Sequence, residues 1–295
     1  ETTDMAVRWA VLTLDALTVR DSSRVSILPG LPGAEPASFP SAAWTLGAFL
    51  DTGRWETARA LLTTMGQAQR FDRRQDLLGR APDLVRLGPD QDDVFATADG
   101  TPLFLAAAGD YVRTTGDRGL VTGGPDFWFK TVFALRGIYE PDSRNGNATD
   151  STSGFLLARD RRGTWLEGDP EAGALRRRGA IAEGQGALYR ALGTATQFAR
   201  IMGVSQRSSA TWYADTAAVL LRDIPPRFVR DGVFADRVDA SGPASDIRPD
   251  GLLALAQLDG VPDRAALARA LAERLVFPYG VASLAQTDSL FHPYL

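Results

Sequence analysis

Apolar residues recur every three or four positions through most of this chain, which is the spacing of amphipathic helices. The clearest case covers residues 181–202, where the apolar positions share one helical face until a glycine interrupts the pattern. Residues 41–51 and 54–65 predict two shorter helices, separated by a Thr-Gly pair. Residues 4–19 carry few charges and many apolar side chains, so this segment predicts a largely buried helix.

A Thr-Gly pair followed by a charged residue separates two predicted helices at two places, residues 52–54 and 115–117. Thr101 is suited to the N-cap of the helix that ends at the second pair, with a proline in the first helical position. A further helix is predicted over residues 117–135. Repeated helical hairpins of this kind indicate an array or a toroid of paired helices.

The pattern as a whole predicts one all-α domain over residues 1–295. It contains about ten helices and no convincing ladder of strands. Residues 25–37 and 139–163 are rich in turn-forming residues and are predicted to be loops, and residues 231–245 predict a loop or a short hairpin. The remaining helices are predicted over residues 208–221, 252–258 and 262–275.

The composition limits the chemistry that the chain can perform. A net charge of −4 and the absence of a basic stripe argue against nucleic-acid binding. With no cysteine and a single histidine, His292, the chain lacks the residues for disulfides, thiol catalysis, thiolate metal sites and multi-histidine metal sites. A serine triad would have to use His292. Acid-base chemistry is thus left to carboxylates, and no metal or organic cofactor is expected.

No apolar run approaches the roughly 20 residues that cross a bilayer, so no membrane association is expected. No secretory signal is visible, and a cytoplasmic location is expected, although the chain begins at Glu1 rather than at methionine. The sequence does not specify an oligomeric state.

The densest chemistry lies in two neighbouring stretches at the centre of the chain. The stretch GTWLEGDP places Trp165 beside Glu167 and Asp169, and the predicted helix that follows opens with Glu183 and Gln185. An indole stacks on the apolar face of a sugar ring, while one carboxyl group protonates a glycosidic oxygen and others bind hydroxyl groups. These residues predict a carbohydrate site; the alternative is a surface loop whose acids lie in water.

Five segments, in order along the chain, are similar to the motifs of one family. They are ATADGTPLF at 96–104 with Tyr111 and TGD at 115–117, GTWLE at 163–167, EGQGALY at 183–189, IRPDGLLAL at 247–255 and FPYGVASL at 277–284. The corresponding motifs are N-T-V-D-A-x-L-W-F with Y and T-G-D, then G-T-W-M-D, E-V-Q-G-x-x-Y, I-R-P-N-Q-L-L-A-L and T-P-Y-G-L-R-S-L. On these segments the chain resembles the glucosidase domain of glycogen debranching enzymes and related bacterial amylo-α-1,6-glucosidases.

The resemblance covers most of the chain and implies an (α/α)6 barrel of six helical hairpins in a single domain. It also implies hydrolysis of α-glucosidic bonds in an oligo- or polysaccharide such as an α-glucan, with inversion and with carboxyl groups roughly 6.5–9.5 Å apart. Glu167 would be the general acid, and Asp169 would share or tune that role. The second catalytic carboxylate is Glu183, or it lies in the part of the family pattern beyond Leu295, and Glu183 then lines the sugar pocket. The implied sugar-binding residues are Trp44, Asp99, Trp165, Gln185, Arg248, Asp250, Tyr279 and His292.

The chain departs from the family pattern in three respects. Ser38-Phe-Pro-Ser41 stands where the family has W-G-R-D-T, so the Arg-Asp pair that would clasp sugar hydroxyls is missing. The family usually has aspartate at the position of Glu167. The chain also ends at Leu295, before the family's H-N-G-x-V-W segment, so the predicted barrel is incomplete at its C-terminal end. Its closing helices lie further along a longer chain, or another chain supplies them.

Two other functions stay open on the sequence. A relative that kept the barrel but lost the Arg-Asp pair would bind carbohydrate, or act as a scaffold, without turnover. A different (α/α)6 enzyme, such as a lyase or sugar epimerase, is less favoured because the single histidine lies far from the central acids in sequence. The structural alternatives are favourable helix N-terminal charges for Glu183 and Asp99, ion pairing with Asp246 or Asp250 for Arg248, and simple packing for Tyr279 and His292.

Overall fold

A computed structural model describes residues 2–20, 24–28, 37–71, 77–85, 93–95, 97–124, 126–139, 149–150, 152–158, 178–278, 280–282 and 284–286. Most of these residues are helical. Within these ranges, no helix is both long and apolar enough for a membrane crossing. The helices are α1 Thr2–Leu17, α2 Phe39–Asp51, α3 Trp55–Ala68, α4 Gly100–Thr115, α5 Gly119–Thr122, α6 Phe127–Tyr139, α7 Ala182–Met202, α8 Arg207–Phe228, α9 Asp250–Gln257 and α10 Arg264–Leu275.

The long helices that follow α1 are arranged as pairs in two layers. The pairs are α2 with α3, α4 with α6, α7 with α8 and α9 with α10. The first helix of each pair packs against the first helix of the next, so α2, α4, α7 and α9 form one continuous inner layer. α3 contacts both α2 and α4, and α6 contacts both α4 and α7, which places the second helices in an outer layer. This is the predicted array of helical hairpins; its closure into a ring of six stays a prediction.

α7 lies at the centre of the core because small and apolar residues cover most of its surface. Leu188, Leu192 and Phe198 are completely buried, and the helix packs against α4, α8 and α9. The approach of α4 to α7 is close at Gly109, where an added β carbon would lie 2.0 Å from Thr194 Oγ1. α4 and α7 can therefore lie this close together only because residue 109 has no side chain.

The Tyr111 and Thr-Gly-Asp motif is a structural junction at the end of α4. Gly116 adopts a φ of 71°, the left-handed conformation that favours glycine. The Asp117 carboxylate then accepts hydrogen bonds from Arg59 Nε on α3 at 2.9 Å and from the Tyr111 hydroxyl at 3.0 Å. Burial would raise the pKa of the Asp117 carboxyl, but the bonds from Arg59 and Tyr111 outweigh it and lower that pKa.

Short strands connect the helices, although the sequence pattern gave no sign of a strand ladder. β10, β9, β6 and β5 form one antiparallel sheet in that order, and the other strands form antiparallel pairs. Each strand has only two or three residues, which is too short for an alternating pattern to appear. The strands are β1 Thr18–Arg20, β2 Val25–Ile27, β3 Ala37–Ser38, β4 Leu84–Val85, β5 Leu157–Ala158, β6 Gly179–Ile181, β7 Val229–Arg230, β8 Val233–Phe234, β9 Arg237–Asp239, β10 Gly242–Pro243, β11 Val276–Phe277 and β12 Gly280–Val281.

α1 is largely exposed, so the prediction of a buried helix at this position was wrong. The exposed fractions of Met5, Trp9 and Leu12 are 57%, 65% and 58%. Only the side that carries Leu14 and Leu17 packs against the core. The many apolar residues and few charges of this segment indicated a largely buried helix, but the described part of the chain covers only one side.

Thr101 does not cap α4, which corrects a second prediction. It lies inside the helix, and its hydroxyl accepts a hydrogen bond from Ala81 N at 3.0 Å. The single helix predicted over residues 117–135 is also wrong, because α5 ends at Thr122, before Gly123 and Gly124, and α6 begins only at Phe127.

The helices predicted over residues 41–51, 54–65, 181–202 and 252–258 are confirmed as α2, α3, α7 and α9. α8 is longer than predicted and runs to Phe228 through two prolines. Ile224 and Phe228 are completely buried there, and this packing offsets the cost of the prolines.

Candidate active site

Three buried acids occupy equivalent positions at the starts of consecutive inner helices. Asp99 immediately precedes α4, Glu183 is the second residue of α7, and Asp250 is the first residue of α9. Their exposed fractions are 0%, 0% and 1%. The N-terminus of a helix carries a partial positive charge, which stabilises a carboxylate at that position. These acids were all predicted from the sequence, and the fold gives them one common setting.

Asp83 joins the starts of α2 and α4, and no sequence motif pointed to it. Its carbonyl accepts a hydrogen bond from Phe39 N at 2.9 Å, and its carboxylate accepts from Thr97 N and Oγ1 at 2.7 and 2.5 Å. Arg80, also buried, donates from Nη2 to the Thr97 carbonyl at 2.8 Å. The surrounding sequence is polar and broken by proline and glycine, so nothing distinguished this aspartate from a loop residue in water.

Asp236 joins the starts of α7 and α9 in the same manner, and it was missed as well. Its carbonyl accepts from Ala182 N at 2.8 Å, and its buried carboxylate lies 4.0 Å from Arg248 Nε. Arg248 also donates from Nε to Asp246 Oδ2 at 3.1 Å. Of the two ion-pair partners considered for Arg248, the structure thus has Asp246. The starts of the inner helices therefore lie at one end of the layer.

Trp44 and Glu183 are in direct contact at this end. The indole Nε1 donates to Glu183 Oε1 at 3.0 Å and so joins α2 to α7 across 139 residues of sequence. Trp44 is half-buried in the second turn of α2, whereas Glu183 is completely buried. The sequence predicted both residues as members of the site, but it gave no indication that they touch.

Gln185 binds backbone groups in the first turn of α7. Its Oε1 accepts from Leu156 N at 2.9 Å, and its Nε2 donates to the carbonyls of Leu156 at 2.8 Å and Ile181 at 3.0 Å. These bonds use both ends of the carboxamide and fasten the chain at β5 to α7. They give Gln185 a structural role, and its predicted contact with sugar stays a prediction.

The Gln185→Leu variant is expected to lower the free energy of unfolding by about 2–4 kcal/mol, because it removes the partners of a buried N–H and a buried carbonyl of Leu156. Denaturant unfolding followed by circular dichroism measures this loss. Gln197→Leu is the matched control on the same helix, since the Gln197 carbonyl oxygen has no hydrogen-bond partner among the described residues. An equal loss in both variants would contradict the structural role of Gln185.

Five predicted site residues lie outside the described residues, namely Trp165, Glu167, Asp169, Tyr279 and His292.

A cleft of about 690 Å³ among the described residues is lined by Asp110, Arg113, Arg190 and Arg200 on α4 and α7. Asp99 and Glu183 do not line it. Within the described part of the chain, no cluster of acids and histidine is arranged to hold a metal ion.

Carboxylates at one end of a helical array, with an indole beside them, supply what cleavage of a glycosidic bond requires: proton transfer and an apolar face for the sugar. The family model of amylo-alpha-1,6-glucosidase matches residues 44–295. The chain belongs to this family. The match to the amylo-alpha-1,6-glucosidase family begins at Trp44 and includes every candidate site residue. It confirms the family resemblance that the sequence motifs indicated.

Solved structures with the same fold are also glycosidases. A wild-type glycosidase has a TM-score of 0.65 and 14% identity, over 94% of this chain and 71% of that chain. A glycosidase variant in complex with glucose gives the same four values, 0.65, 14%, 94% and 71%. A rhamnosidase from Klebsiella oxytoca with rhamnose bound has a TM-score of 0.52 and 17% identity, over 79% of this chain and 40% of that chain. At these identities the likeness concerns the fold alone. No curated protein matches the chain.

Proposed function

We propose that this protein is a glycoside hydrolase that cleaves α-glucosidic bonds of an α-glucan, in particular α-1,6 bonds, with inversion at the anomeric carbon. The observation that carries the proposal is the placement of Asp99, Glu183 and Asp250 at the starts of three adjacent inner helices. Membership of the amylo-alpha-1,6-glucosidase family supports the choice of bond.

In this mechanism two carboxyl groups act on opposite sides of the bond that breaks. Glu167 gives a proton to the glycosidic oxygen as the C–O bond to the leaving group breaks, and Glu183 takes a proton from the water that attacks the anomeric carbon. Asp169 tunes Glu167 by like-charge repulsion. Hydroxyl groups and the sugar face are bound by Trp44, Asp99, Trp165, Gln185, Arg248, Asp250, Tyr279 and His292.

A panel of α-glucosides tests this function directly. The protein is incubated with isomaltose, panose, maltose and a branched limit dextrin, glucose release is assayed, and proton NMR identifies the anomer that forms first. We expect glucose to be released faster from α-1,6 than from α-1,4 linkages, with β-glucose as the first product. The Glu167→Gln variant is expected to lose this activity. Release of α-glucose would overturn the inverting mechanism, and no release from any substrate would overturn the proposed function.

A catalytically impaired carbohydrate-binding relative is the second candidate, and one observation favours it. Ser38 Oγ accepts a hydrogen bond from Ser41 N at 3.2 Å, so the stretch that would hold the family's Arg-Asp pair caps α2 instead. Under this alternative, calorimetry would detect binding of glucose or a dextrin while the glucose assay stayed negative.

A further inference from the structure

The contact between Trp44 and Glu183 has a feature that sugar stacking does not require. The indole nitrogen points at the carboxylate, and the hydrogen bond is 3.0 Å long. The Glu183 side chain is completely buried, so the bond is shielded from bulk solvent. A hydrogen bond from an N–H group to a buried carboxylate both fixes its position and favours its ionised form.

We infer that Trp44 is a positioning residue, which holds Glu183 in its ionised state and in a single orientation for proton transfer. This inference rests on the proposed function in one respect, the catalytic role of Glu183. It differs from the predicted role of Trp44, which is that of a sugar-binding residue.

The charges around the start of α7 make a neutral donor useful. Asp99 begins the neighbouring α4, Asp250 begins the neighbouring α9, and the Asp236 carbonyl binds the first residue of α7. Arg248, which precedes α9, bonds to Asp246 at 3.1 Å and lies 4.0 Å from the Asp236 carboxylate. A nearby negative charge favours the protonated form of a carboxyl group, whereas a hydrogen bond from an N–H group favours the ionised form. The indole N–H of Trp44 therefore favours the ionised form of Glu183. Because the indole is neutral, it does so without a positive charge that would also attract the neighbouring carboxylates.

The two roles of Trp44 predict different kinetics. A stacking residue contributes to binding, so its loss raises KM. A positioning residue changes the group that transfers the proton, so its loss lowers kcat and moves the pH profile.

The Trp44→Phe variant tests this difference, because it keeps an aromatic ring and removes the N–H group. We expect kcat on an α-glucoside to fall about tenfold and KM to change by less than about twofold. We also expect the acid limb of the kcat profile to move up by about one pH unit. Trp55→Phe is the matched control: its exposed indole donates to the Leu50 carbonyl at 3.3 Å, so it too loses an N–H group. A rise in KM with unchanged kcat and pH profile would overturn the inference.

A second measurement does not depend on activity. The Glu183 carboxyl is titrated by carbon-13 NMR, with its signal assigned by comparison with Glu183→Gln. We expect its pKa to rise by about one unit in Trp44→Phe and to stay unchanged in Trp55→Phe. An unchanged pKa in both variants would overturn the inference. If wild-type protein cleaves no substrate in the panel while this shift is present, the proposed function fails and the Trp44–Glu183 coupling stands.

Packing is separated from hydrogen bonding by a further variant. Should Trp44→Phe fail to fold, 3-benzothienylalanine at position 44 removes only the N–H group, since sulfur replaces nitrogen in a ring of nearly equal volume. The same fall in kcat and the same rise in the pKa of Glu183 are expected. Wild-type values for both would contradict the inference.

Discussion

The Glu183→Gln variant is expected to hydrolyse an α-glucoside about a thousandfold more slowly than the wild type, with its fold intact. A positioned acid or base contributes about 100- to 10,000-fold to such a reaction, and the carboxamide cannot accept a proton from water. Glutamine has nearly the same shape as glutamate, and its Oε1 can still accept the bond from Trp44 Nε1. The rate of glucose release, with thermal unfolding measured in parallel, tests both parts of this expectation.

The role of Glu183 as base rather than acid is tested with two leaving groups. If Glu183 activates water, the loss of rate is the same for a natural disaccharide and for a nitrophenyl glucoside, whose leaving group needs no proton. If it is the acid, the nitrophenyl substrate restores most of the rate. Glu273→Gln, an exposed substitution on α10, serves as the control and is expected to retain wild-type activity. Wild-type rates in Glu183→Gln would remove Glu183 from the mechanism.

The Gly109→Ala variant is expected to lower the free energy of unfolding by about 2–3 kcal/mol, because it overpacks the contact between α4 and α7. A β carbon at this position would lie 2.0 Å from Thr194 Oγ1 and 2.9 Å from Thr194 Cβ, distances that force the helices apart. Thr194 is buried, so it has no free space into which it can turn. Denaturant unfolding gives the change in free energy.

Gly193→Ala is the matched control for this prediction. Gly193 is the neighbour of Thr194 on α7 but faces outward, and an added β carbon there meets nothing within 4 Å. Alanine is the better helix former by about 1 kcal/mol, so this variant is expected to be more stable than the wild type by up to that amount. If Gly109→Ala were as stable as Gly193→Ala, the close approach of α4 to α7 would be disproved.

The sequence predicted those helices in which the helical spacing of apolar residues is enough to identify the buried side. α7 is the best case, because apolar residues that recur along it at helical spacing, such as Leu188, Leu192 and Ala195, are completely buried. α1 shows the limit of this reasoning: its apolar residues suit burial, but whether they are buried depends on which other segments reach them. The hairpin of β9 and β10 lies within residues 231–245, where a loop or a short hairpin was predicted. The pairing of β6 with β9 escaped prediction, since it joins residues remote in sequence, such as Ala180 and Val238.

The sequence singled out three of the buried acids at the helix starts, but not the contacts that join these helices. Asp99, Glu183 and Asp250 stand at helix starts that the sequence predicted to within two residues. Asp83 and Asp236 act through backbone carbonyls as well as side chains, and a backbone acceptor has no sequence signature. The bond from Trp44 joins residues on different hairpins, so it follows from the order in which the hairpins pack and from no local pattern.

The hydrogen bond between Trp44 and Glu183 closes a loop of 139 residues, which has a consequence for folding kinetics. Contacts that close long loops form late, because the chain loses entropy before it gains the contact. α2 and α7 both pack on α4, so an intermediate in which α4 is not docked lacks this bond. We expect hydrolytic competence to return in the slowest refolding phase, after most of the helical signal in circular dichroism has recovered.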